Sequence, residues 1–128
     1  MNGKRLSKLE LQIMQILWRL GAIPIREVQE AFPAAQRPAY TTVQTTIYRL
    51  EEKGAVRRVK KIGNAHIFEA VLERNSTQKG LLDELVNAFG GRIQPIISYL
   101  IETRQLTLED VRQAEQRIVE LDRKEKSK

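Results

Sequence analysis

Between residues 7 and 54 the apolar positions recur every three or four residues, the period of a helix with one buried face. In LSKLELQIMQILWRLG (6–21), Leu9, Ile13, Ile16, Leu17 and Leu20 form one stripe. Ser7 stands at its start as a cap, and Glu10 completes a capping box three residues on. Leu6 and Leu11 have the spacing of a hydrophobic staple. Gly21 ends the helix. Trp18 is off the stripe and reads as core packing or as an interface residue. In AIPIREVQEAFP (22–33), Ile23 is placed to pair as a brief strand and Pro24 to open a short helix. Ile25, Val28 and Phe32 face inward, and Pro33 stops the run. Residues 34–38 are expected as a loop. YTTVQTTIYRLEEKG (40–54) follows as a third helix, with Val43, Ile47 and Leu50 inward.

The period then changes. Val56–Lys61 and Ala65–Ala70 alternate as two strands around a Gly63–Asn64 turn. Residues 72–80, LERNSTQKG, read as a polar hinge. Helical spacing returns at Leu81, Leu82, Leu85, Val86 and Phe89, closed by Gly90 and Gly91. It continues at Ile93, Ile96, Ile97, Leu100 and Ile101, with Pro95 tolerable only in a first turn. A last helix is capped by Thr107, with Asp110 at its third position and a Leu106–Val111 staple. Val111, Ala114, Ile118 and Leu121 then follow the 3-4-3 spacing of a coiled-coil seam. A basic tail, RKEKSK, closes the chain.

These elements predict a mainly α protein. Three helices and a small antiparallel sheet with its hairpin make a winged helix-turn-helix over 1–73. A helical segment over 74–128 follows. That segment holds about 45 helical residues rich in apolar positions, too few to bury their surface alone. Folding back on the first domain would cover them, but the polar hinge argues for pairing with a second copy. Leu82, Leu85, Phe89, Ile97, Leu100, Ile101, Val111, Ile118 and Leu121 are the expected dimer contacts.

Composition sharpens this picture. The 128 residues are 41% hydrophobic, which suits a packed core. Cysteine is absent, which excludes disulfides, thiol catalysis and cysteine-based metal sites and suits a reducing cytoplasm. No apolar run is long enough to span a membrane, and MNGKRLSKLE lacks the apolar stretch of a signal peptide. A cytoplasmic location is expected. The net charge of +6 is uneven: residues 1–71 carry 12 Lys/Arg against 6 Asp/Glu, and residues 72–128 carry 10 of each. A basic domain beside a neutral one points to a polyanion as partner of the first.

Catalysis finds no support. His66 is the single histidine; it reads as an exposed strand residue, without a metal-ligand spacing or a triad. Asp83–Glu84 and Glu109–Asp110 are explained by solvation and capping. No enzyme activity, cofactor or metal is expected.

The third helix carries the chemistry. Its outer face has Thr41, Thr42, Thr45, Tyr48, Arg49 and Glu52, although β-branched threonine is a poor choice for a plain exposed helix. Such a face suits a major groove. Threonine hydroxyls bond bases or phosphates, threonine methyls pack on thymine methyls, and arginine pairs with guanine or phosphate. Thr41, Thr42, Thr45 and Arg49 are the expected base or near-base contacts; Tyr48 is expected on a phosphate or packed at the helix end. Arg57, Arg58, Lys60 and Lys61 put four positive charges on the hairpin, suited to the DNA backbone. The reading is a dimer on double-stranded DNA. The alternative is a winged-helix module for protein or RNA without operator specificity.

Three stretches, LSKLELQIMQILWRLG, YTTVQTTIYRLEEKGAVRR and LIETRQLTLEDV, resemble the penicillinase-repressor family over roughly residues 5–125. The resemblance implies an N-terminal winged helix, a C-terminal helical dimerisation domain and an inverted-repeat operator. It also implies a bacterial transcriptional repressor of the antibiotic response, relieved when a membrane sensor protease system detects drug and the repressor is cut. The family's scissile Asn-Phe bond falls at Ser98–Tyr99, with serine in place of asparagine. The branch relieved by copper uses C-terminal cysteines, which this chain lacks.

Overall fold

A computed structural model describes residues 5–127. The elements run α1 (Lys8–Leu20), β1 (Ile23–Pro24), α2 (Ile25–Glu30), α3 (Tyr40–Glu52), β2 (Val56–Ile62), β3 (Ala65–Ala70), α4 (Arg74–Ala88), α5 (Gln94–Glu102) and α6 (Leu108–Lys126). A 3-10 turn at Ala34–Gln36 tightens the stretch expected as loop.

The ends of α1 form as their residues dictate. The Glu10 amide donates to Ser7 Oγ (3.2 Å), and the Ser7 amide donates to Glu10 Oε1 (2.7 Å). Gly21 takes φ +83°, closed to other residues without strain, and its amide reaches the Leu17 carbonyl. Ile13, Met14, Ile16 and Leu17 are buried, whereas Leu20 is 48% exposed. The stripe as read from spacing thus ends one turn early, because the chain turns away at Gly21. Trp18 packs against the core and donates its Nε1–H to the Leu72 carbonyl at 2.9 Å.

The three strands form one antiparallel sheet in the order β1-β3-β2. Ile23 pairs with Phe68, so the expected brief strand exists. β3 is central, and its Ile67 and Phe68 are both buried. Phe68 joins Ile13, Met14, Leu17, Val28, Val43, Ile47, Leu50 and Val56 in a single core. β2 buries only Val56 and then projects with β3 as a hairpin. A bulge between Arg58 and Lys60 leaves Val59 unpaired opposite β3. Ile62 pairs with Ala65, and Gly63 at φ +60° supplies the positive φ of the two-residue turn. This is a winged helix-turn-helix.

The chain divides into two compact units, the first ending at Gly80 and the second beginning at Leu81. The polar stretch 72–80, read as a hinge, is helical from Arg74 onward and forms the first turns of α4. Its Ser, Thr and Gln residues are polar without being breakers, and Glu73 accepts from Ser76 Oγ at 2.9 Å. In the second unit, Gly90 and Gly91 take φ of +63° and +80° after α4, and Gln94–Pro95 open α5. Thr107 and Asp110 form the expected capping box of α6. Two bonds from Thr107, its amide first and its hydroxyl second, hold the Asp110 carboxyl below the usual carboxylate range. The tail RKEKSK is helical to Lys126; Lys128 lies outside the described residues. No residue of α4, α5 or α6 is buried. Leu82, Leu85, Phe89, Ile101, Val111, Ile118 and Leu121 are exposed, and Ile97 and Leu100 are half-buried.

Candidate nucleic-acid interface

The third helix is held from both sides. Val43, Thr46, Ile47 and Leu50 are buried, which fixes its inner face. Thr46 was not visible in the apolar spacing, because a threonine reads as polar. Its hydroxyl donates to the Thr42 carbonyl at 2.7 Å, which lets it enter the core satisfied. The turn before α3 is tied down by Arg37, which donates to the carbonyls of Glu30 and Phe32. Gln29 Nε2 donates to the Pro38 carbonyl at 3.1 Å. At the far end Lys53 Nζ donates to Glu10 Oε1 at 2.7 Å and to the Arg5 carbonyl at 2.8 Å. Glu10 is 3% exposed. Burial pushes its carboxyl up, but the bonds from Lys53 and from the Ser7 amide outweigh this and hold it below its ordinary value.

With the inner face fixed, the outer one is determined. At about 100° per residue, Tyr48, Thr41, Thr45, Arg49 and Thr42 fall in a sector of about 120°, opposite Val43 and Leu50. All five are exposed. With Glu52, which is also exposed and falls between Thr41 and Thr45, the structure brings together every residue that the sequence placed on this face. Thr45 has one restriction: its hydroxyl donates to the Thr41 carbonyl at 2.9 Å. With that proton engaged, Thr45 offers outward an acceptor and a methyl group. This suits the amino groups of adenine and cytosine or the methyl of thymine. Ala39, at the N-cap, supplies no side-chain bond; the Thr42 amide donates to the Ala39 carbonyl at 3.1 Å, which leaves the amides of Tyr40 and Thr41 open to an anionic oxygen.

The four wing cations are not equivalent. Arg57 Nε donates to Glu69 Oε2 across the hairpin at 2.6 Å. Arg58 donates through Nε and Nη2 to Glu51 of α3 at 2.9 and 3.2 Å. Its guanidinium also lies over the Tyr48 ring at 5.1 Å and the Phe68 ring at 5.3 Å. The bond to Glu51 raises its pKa further above the ordinary arginine value. Arg58 thus joins the wing to the third helix. Lys60 and Lys61 are exposed and form no ion pair among the described residues.

Sequence spacing did not assign Arg26, Gln44, Asn64 or His66 to the surface beside α3. They line, with Tyr40 and Tyr48, a cleft of about 380 Å³ between α2, α3 and the wing. His66, read as an exposed strand residue, is half-buried there. The Tyr40, Gln44 and Tyr48 line was legible in principle from its i, i+4, i+8 spacing. Arg26 was not, because it arrives from another element. Among the described residues no group of three or more His, Asp or Glu is placed to hold a metal. No helix there is long and apolar enough to cross a membrane.

Comparison with known proteins gives four findings. The family model of the penicillinase repressor matches residues 6–120. Proteins named transcriptional regulator BlaI, from two strains of Mycobacterium tuberculosis, are 37% identical over 86 residues. That match covers 66% of this chain and 62% of theirs, less than two thirds of those relatives. The penicillinase repressor of Bacillus licheniformis is 23% identical over 108 residues, 84% of each chain. A solution structure of the DNA-binding domain of the repressor BlaI superposes with a TM-score of 0.49 and 26% identity. It covers 55% of this chain and 84% of that one.

Proposed function

The chain belongs to the penicillinase-repressor family, a family of repressors and not of enzymes, and from that premise we propose that it is a dimeric transcriptional repressor that binds an inverted-repeat DNA operator. The observation that carries the proposal is the exposed sector of α3, where Thr41, Thr42, Thr45, Tyr48 and Arg49 face away from a fully buried stripe. Thr41, Thr42, Thr45 and Arg49 meet base edges. Lys60 and Lys61 meet phosphates, joined by what the paired Arg57 and Arg58 leave exposed.

Dimerisation belongs to the second unit. Its helices leave Leu82, Ile101, Ile118 and Leu121 at 60, 55, 60 and 58% exposure, and a second copy is the simplest cover. Two linked reading helices raise affinity by ~10²–10⁴ over one, through effective concentration alone. The protein acts in the cytoplasm, where the DNA is. Relief follows from cutting at Ser98–Tyr99 in response to a sensor, or from another sensor signal. Tyr99 is 61% exposed, but its carbonyl accepts the Thr103 amide at 3.0 Å, so a protease must open a helical turn.

Binding-site selection from genomic DNA with the purified chain tests this reading. The expected result is an inverted repeat with half-sites about one helical turn apart, or a multiple. Recovery of DNA without sequence preference would leave instead a module for protein or RNA and end the operator proposal.

A further inference from the structure

We propose that the cleft between α3 and the wing is a seat for one phosphate of the DNA backbone, with Arg26, set against the Tyr40 ring, as its principal ligand. This rests on the DNA-binding reading above and assigns residues that neither the reading sector nor the wing lysines include.

The first argument is charge. Arg26, Tyr40, Gln44, Tyr48, Asn64 and His66 supply the polar lining, and no acidic residue is among the lining side chains. The Arg26 guanidinium lies over the Tyr40 ring, 5.6 Å from its centroid. It forms no hydrogen bond or ion pair among the described residues. The exposed Arg26 guanidinium thus rests against a ring while its N–H donors stay uncommitted, and such a planar fork matches the oxygens of a phosphate. This contrasts with Arg57 and Arg58, whose donors are already directed at carboxylates.

The second argument is position. Taking Tyr40 as the origin, Tyr40, Gln44 and Tyr48 lie at about 0°, 40° and 80° around α3, while Thr41 and Thr45 lie at about 100° and 140°. The cleft therefore runs along the edge of the reading sector, on the side of the wing. When a helix occupies a major groove, a phosphate strand passes on each side of it. The strand on the wing side has to cross this cleft. The walls are firm: Tyr48 is held by Arg58 and by Gln44 Nε2, which donates to its hydroxyl at 3.3 Å.

The test uses the full chain, a duplex recovered by genomic selection and an unrelated duplex, each measured over a salt series. Arg26→Ala should weaken both duplexes by about tenfold and lower the salt slope by about one phosphate equivalent. Arg26→Lys keeps the charge and loses the fork; it should keep most of the slope and lose part of the affinity. Thermal unfolding of each variant separates loss of fold from loss of contact. Single phosphates of the selected duplex are then replaced one at a time by neutral methylphosphonates. One position should weaken the wild type about tenfold and Arg26→Ala hardly at all, since the contact is already gone.

Unchanged slope and affinity in a folded Arg26→Ala, or losses that simply add at every position, would overturn the seat. If Lys60→Ala plus Lys61→Ala still lowers the slope in that case, the DNA-binding reading survives and only the cleft assignment falls. If the wild type binds no duplex in a salt-dependent way, the parent reading falls. Titration with inorganic phosphate alone, followed by the His66 ring resonances, covers the other anion source. Saturation by phosphate at concentrations where sulfate has no effect would make this a site for a free phosphate species and would overturn the backbone assignment.

Discussion

Thr45 serves its helix through its hydroxyl proton and, in the proposed complex, would serve the DNA through what that bond leaves free. Bonded to the Thr41 carbonyl, its hydroxyl proton is turned inward and its acceptor lone pair and methyl outward. Thr45→Ala should weaken specific DNA binding by about 1–3 kcal/mol and leave the unrelated duplex nearly unchanged. Equal losses on both duplexes would reduce Thr45 to a helix-positioning residue. Glu10 matters through stability. Its carboxylate lies beneath the junction of α1 and α3, and its folded pKa is depressed by Lys53 and Ser7 against the penalty of burial. A group with a depressed folded pKa stabilises the fold above its unfolded value, here about 4.5, and that contribution fades as pH falls through the lower folded value. Glu10→Gln should therefore destabilise the domain by about 1–3 kcal/mol at pH 7, with the difference from wild type shrinking in acid. Denaturant midpoints at pH 7 and pH 3 check this; a gap that widens in acid contradicts it.

At the scale of elements, the wing and α3 behave as one body. Arg58 bridges them through Glu51 and Tyr48 and leaves only part of its fork to a phosphate, so Arg58→Ala should lower specific affinity while lowering the salt slope by less than about one phosphate equivalent. Lys60→Ala plus Lys61→Ala should lower the slope by up to about two phosphate equivalents and weaken both duplexes alike. A reversed pattern would exchange the roles of arginine and lysines. This difference among the four cations was not legible in the sequence, where RRVKK is simply basic. Ion pairing to Glu51 and Glu69 depends on register and on the bulge at Val59, which no local pattern encodes. The helices were legible because their signals are local: the Ser7–Glu10 and Thr107–Asp110 boxes, the glycine stops and the period of Val43, Ile47 and Leu50. The stretch 72–80 misled because polarity was read as hinge, when a helix continuing into an exposed turn has the same composition. The cleft was missed because α2 and the wing meet α3 only in three dimensions.

For the whole molecule, the asymmetry between a first unit with a core and a second without one is the governing fact. In the proposed dimer, Ile118→Asp or Ile97→Asp would place an unpaired charge in the apolar face between the copies and should leave monomers. Sedimentation of the full chain against either variant measures this directly, and a monomeric wild type at working concentration would remove the dimer. A fragment ending at Gly80 should keep its fold and bind the operator far more weakly than the full chain. The same asymmetry has a consequence for inheritance. In the proposed dimer, a chain with a ruined α3 face but intact α5 and α6 would still pair with sound chains and take them out of service. Lesions at Thr45 or Arg49 should then be dominant over a wild-type allele in the same cell. Lesions at Ile97 or Ile118 should be recessive, since a chain that cannot pair leaves its sound neighbours free to find each other.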